Sequence, residues 1–145
     1  MDPLASPFTP FFAFSIHALP PLLTAFAILS IGIFVVVREQ ASRVSLLYGA
    51  YALAAGSWML FAGIALLLRS EEATYRWMTL ANMGVSVIPA SLYHFTVVVL
   101  QEAARHRKLV RASWAVSSLF LVASLFPDIL FDGFYHYSWG IFVKL

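Results

Sequence analysis

The sequence predicts an all-α integral membrane protein with four transmembrane helices and both termini outside. Three observations carry this expectation. The 145 residues are 61% hydrophobic and only 11% charged, where a soluble domain has about 45–50% apolar and about 25% charged residues. Four apolar runs have the length, or nearly the length, of about 20 residues that a helix needs to cross a bilayer. The basic residues gather between alternate runs.

The first run spans residues 19–37 and opens on Pro20-Pro21; proline suits the first helical turn, where its missing N–H has no intrahelical partner to lose. The second spans 44–68, between Arg43 and Arg69. The third spans 77–100. The fourth, 109–126, is the shortest, with Pro127 as its expected stop. Apart from Arg111 near the start of the fourth, none of them contains Asp, Glu, Lys or Arg. Such runs in lipid satisfy their backbone groups as helices, and the alternation of a membrane β-strand is absent. Residues 19–130 therefore read as a four-helix membrane bundle. Residues 1–18 read as an interfacial lead-in: Pro3, Pro7 and Pro10 are interspersed with Phe8, Phe11, Phe12 and Phe14. The stretch before Leu19 has no Lys or Arg, so it lacks the basic start of a signal peptide. Residues 131–145 read as an aromatic interfacial tail that leads into further chain.

Arg38 and Arg43 lie in the first loop, and Arg105, Arg107, Lys108 and Arg111 at the third. Arg69, Arg76 and Lys144 lie on the other side. The positive-inside rule then puts the first and third loops in the cytoplasm. Asp2, Glu71, Glu72, Asp128 and Asp132 fall outside.

Several chemistries are excluded by composition. With no cysteine, there is no disulfide framework, thiolate metal site or cysteine nucleophile. A net charge of +2, without interleaved basic and aromatic residues, gives no nucleic-acid surface. The spans hold no carboxylate for proton coupling and no Lys for a retinal. The histidines, His17, His94, His106 and His136, have no metal-ligand spacing. The expectation is a protein that is not an enzyme and holds no cofactor or metal.

Two faces stand out. Gly49, Gly56 and Gly63 recur every seven residues along the second helix, with Ala52 beside them. Small residues on one face allow close helix packing with a left-handed crossing. On the third helix Asn82, Ser86, Pro89 and Tyr93 share one face. Pro89 frees the carbonyl of Val85, so a kink is expected. This face reads as interhelical hydrogen bonding, with a small-ligand pocket or flexing element as the functional alternative. His94 is an ionisable group at membrane depth and so a functional candidate; the plainer expectation is a neutral imidazole bonded to a backbone carbonyl.

The order of landmarks resembles the N-terminal seven-helix membrane region of bacterial sensor histidine kinases, also found on some diguanylate cyclases. It comprises a short basic first loop, Trp58 within the second helix and Arg76-Trp77 before the third. Gly84, Pro89 and Tyr93-His94-Phe95 follow, then a basic loop, a fourth helix and Trp139-Gly140. The resemblance runs from Leu19 to Leu145 and covers four of the family's seven helices. It implies a bacterial inner-membrane, multi-pass input module of a two-component signalling system, without its output domain. Its expected partners are the lipid bilayer and other transmembrane helices: its own further helices, a second copy or complex subunits. Asn82, Ser86, Pro89, Tyr93 and His94 are the ligand or switch candidates. The competing expectation is a small structural subunit of a respiratory or photosynthetic membrane complex.

Overall fold

The computed structural model describes residues 15–126, 133–137 and 140–143. It contains four helices, α1 (Leu19–Arg38), α2 (Arg43–Ala65), α3 (Glu71–Val99) and α4 (Arg107–Ala123), then a hairpin of β1 (Phe134–Tyr137) and β2 (Gly140–Val143). The helices form a row, with α1 on α2, α2 on α3 and α3 on α4. Three of them are long and apolar enough to cross a membrane: α1 with its leading 3-10 turn, α2 and α3. α4 has 17 residues and begins with Arg107, Lys108 and Arg111 in its first turns.

Local chemistry sets the ends. Pro20 and Pro21 occupy the first turn of α1. The hydroxyls of Ser42 and Ser70 accept from the backbone N–H of Ser45 and Ala73, capping α2 and α3. Glu71 and Glu72 in the first turn of α3 favour the positive end of its dipole. This cap explains why α3 starts six residues ahead of the expected span at Trp77: the apolar run measures what lipid can cover, and the helix extends past it into a polar turn. α1 and α3 end alike. Gln40 (φ 48°) and Gln101 (φ 59°) adopt the left-handed conformation. Ala41 N–H then reaches Val36 O at 3.0 Å, and Glu102 N–H reaches Val97 O at 2.9 Å. Both turns are Schellman closures with glutamine where glycine is usual.

The tail holds a secondary structure that its aromatic content does not specify: β1 and β2 pair antiparallel, with Tyr135 opposite Phe142 and Tyr137 opposite Gly140. Tyr135 and Tyr137 are on one side of the strand, their ring centroids 6.4 Å apart, and β2 packs against α3. Tyr135 and Tyr137 alternate with Phe134 and His136, a period that suits a strand and is compatible with an interfacial position. The lead-in before Ser15, the stop at Pro127, and Asp128, Asp132, Trp139 and Lys144 lie outside the described residues.

Packing is inside-out relative to a protein in water. The buried positions are mostly small: Ala25, Ala52, Ala54, Ala55, Ala81, Ala90, Ser45 and Ser91. Large apolar side chains face outward, Phe26 at 75% exposure and Leu119 at 69%. Lipid tails are as apolar as leucine, so helices in a bilayer gain from close backbone approach between small residues and not from hiding large ones. The glycine face of α2 meets α1 in this way. A Cβ on Gly49 would fall 2.6 Å from Val36, on Gly56 2.5 Å from Leu29, and on Gly63 2.8 Å from Leu22. Each seven-residue step along α2 matches a seven-residue step back along α1, so three branched side chains fill three glycine notches, a heptad-spaced seam. Ala52 packs against a fourth glycine, Gly32 of α1.

Candidate functional site

The polar face of α3 is divided between its own backbone and α4. Ser86 Oγ donates to Asn82 O at 2.8 Å, so Asn82 meets Ser86 through its carbonyl, within the helix. Ser91 Oγ donates to the carbonyls of Val87 and Ile88 at 2.9 and 3.0 Å. Hydroxyls that bond back in this way bend helices, and Pro89 between them supplies no N–H to Val85. The backbone ladder of α3 is therefore weakest around Ser86–Ser91, although the helix continues through it.

Ser86, Pro89 and Tyr93 line a groove between α3 and α4 together with Ser113, Ser117 and Phe120. Its volume of about 680 Å³ falls within the range of small-molecule sites, roughly 300–1,000 Å³. Asn82 and His94 are not among its walls. Two side-chain contacts join the helices at one end of it. Tyr93 Oη and His106 Nδ1 are 3.0 Å apart. Trp114 Nε1–H donates to His94 Nδ1 at 3.2 Å, with the two rings edge to face. His94 thus bonds an indole where a backbone carbonyl was expected. An indole N–H in an apolar setting needs an acceptor, and this was the available signal for Trp114, which the sequence reading passed over. His106 is placed beside Tyr93 by the α3–α4 turn.

An acceptor Nδ1 fixes the neutral tautomer of His94, with its proton on Nε2. Protonating Nδ1 would set N–H against N–H and break the contact. With Trp58, Trp77 and Trp139 replaced by Phe, Trp114 emission should therefore shift in His94→Leu, which takes the acceptor away. In the same background His94→Asn, whose amide oxygen still accepts, should shift it less. Emission that is the same with leucine as with histidine would rule out the contact.

Among the described residues no group of three or more His, Asp or Glu side chains is placed to hold a metal ion. No family model, curated protein or solved structure matches the chain.

Proposed function

We propose that the chain is a non-catalytic input module of a bacterial membrane signalling protein, with the α3–α4 boundary as its moving part. The observation that carries this reading is the position of Pro89. Gly84, on its N-terminal side, packs directly on the α2 backbone. Tyr93 and His94, on its C-terminal side, hold α4. A pivot at Pro89 would carry the tied end of α4 with the last turns of α3 and open or close the groove, giving two packings whose balance a stimulus shifts. The stimulus is either a groove ligand or the state of the membrane. In this reading α4 is a fourth crossing, both termini lie outside, and the basic turns at Arg38–Arg43 and Arg105–Arg111 face the cytoplasm of a bacterial inner membrane.

The second reading, a structural subunit of a larger membrane complex, draws on the open row of helices. α1 and α4 lie at its ends, with Phe26, Ile33, Leu119 and Phe120 exposed, and neighbouring subunits would cover them.

The absence of cysteine allows a direct test. Spin labels at Leu46→Cys on α2 and Ala115→Cys on α4, both exposed positions, should report two distances in bilayers. Their ratio should change with bilayer thickness or a groove-filling amphiphile, and Pro89→Ala should collapse them to one. One narrow distance, indifferent to all three, would favour the structural subunit. In the same background Arg105→Cys should react with an impermeant maleimide only from the cytoplasmic side; reaction from outside would reverse the orientation.

A further inference from the structure

We infer that the end of the molecule where α2 and α4 begin carries a binding site for a phosphate group. A cavity of about 420 Å³ there is walled by Arg43 from the first turn of α2, His94 from α3, Ala103 and Ala104 from the α3–α4 turn, and Arg107 and Arg111 from α4. Three arginines from two helices line one space, and no Asp or Glu is among its walls. Among the described residues the ion pairs are Arg76 with Glu72 and Arg105 with Glu102. Glu102 pairs with Arg105, outside the cavity, and neither it nor Glu39, four residues before Arg43, forms an ion pair with Arg43, Arg107 or Arg111 among the described residues.

Two further features favour an anion. The N-terminus of α4 has no side-chain cap and no acid in its first turn, so its leading N–H groups and dipole are unanswered. His94 also contributes: because Nδ1 is taken by Trp114, the neutral ring keeps its proton on Nε2, leaving a donor on a cavity-wall residue. Like charges held together repel, and an anion placed among them adds an attraction to each that offsets the repulsion. The planar fork of arginine matches a tetrahedral oxyanion in pairs of hydrogen bonds. The required chemistry is therefore a phosphate monoester or diester, supplied either by an anionic lipid headgroup or by a soluble phosphate. The inference is independent of the pivot at Pro89.

The test uses the full chain in detergent, with dioleoyl phosphatidic acid as the probe, its retention read by native mass spectrometry. Arg43→Gln with Arg111→Gln should weaken retention by about tenfold or more. Arg69→Gln with Arg76→Gln, which removes the same charge at the opposite end, should leave it unchanged. Arg43→Lys with Arg111→Lys keeps charge and fold and should still weaken it several-fold, since an ammonium cannot bind in a bidentate fork. Inorganic phosphate that displaces the lipid identifies a soluble phosphate as the occupant, and failure to displace it identifies the headgroup. Equal loss in the two glutamine pairs, or no loss in the cavity pair, would overturn the site.

Discussion

Replacing Gly32 by Ala should cost about 1–3 kcal/mol of stability, more than the same change at Gly49, Gly56 or Gly63. A Cβ at Gly32 would lie 2.6 Å from the Cβ of Ala52, and Ala52 is almost fully buried. A Cβ is fixed to its backbone and has no rotamer with which to withdraw. The helices themselves must separate, and the contacts on both sides of the crossing loosen with them. At Gly49, Gly56 and Gly63 the opposing atoms belong to Val36, Leu29 and Leu22 side chains, which can turn aside. All four changes gain the same helix propensity, so that term cancels from the comparison. The measurement is the denaturation midpoint of each purified variant, followed by helical circular dichroism during titration of mixed micelles with sodium dodecyl sulfate. The swap Gly32→Ala with Ala52→Gly moves one methyl across the seam and should restore most of the loss. A Gly32→Ala midpoint at or above that of Gly56→Ala, or a swap that rescues nothing, would contradict the close contact.

Much of the helical layout was legible because lipid imposes it. The centres of α1, α2 and α3 follow from runs that nothing but helix could satisfy in a bilayer. The glycine period of α2 was visible because seven-residue spacing shows along a single helix. The partner surface was not: Gly32 is a lone glycine in α1, and only the register of α1 against α2 brings it to Ala52. The start of α3 was missed for the opposite reason. Ser70, Glu71 and Glu72 are a capping signal written in polar residues, outside the apolar run that marked the span.

The site divides along the same line. Ser86, Pro89 and Tyr93 share a face by helical period, and all three line the α3–α4 groove. Asn82 fits the period too but lies beyond the groove, since a shared face does not say how far a neighbouring helix reaches. His94 was singled out for its depth, while Trp114, which bonds it from twenty residues along the chain, was not. Arg43, Arg107 and Arg111 were read as topology signals. Their convergence on one cavity is a property of the helix row, because α2 and α4 both begin where α3 ends.

Gly84→Ala should be as damaging as Gly32→Ala, and no side-chain truncation should rescue it. A Cβ at Gly84 would lie 2.9 Å from Ala54 O and 3.1 Å from Trp58 N, both backbone atoms of α2, as well as 3.1 Å from Ser57 Oγ. Ser57 Oγ donates to that same Ala54 carbonyl at 3.0 Å, so the added methyl also crowds an existing hydrogen bond. Overpacking of this kind costs about 1–3 kcal/mol, and valine should cost more than alanine. Double-mutant cycles separate the two kinds of glycine contact. Leu29→Ala should recover part of what Gly56→Ala loses, since it removes the crowding side chain. Ser57→Ala should recover little of what Gly84→Ala loses, since Ala54 O and Trp58 N remain. The contacts of Tyr93 with His106 and of His94 with Trp114 lie within the α3–α4 pair, so Trp114 emission and its shift in His94→Leu should survive Gly84→Ala while the denaturation midpoint falls. Loss of both together would mean that α3 and α4 are held in place by α2, and that a pivot at Pro89 has no independent segment to move.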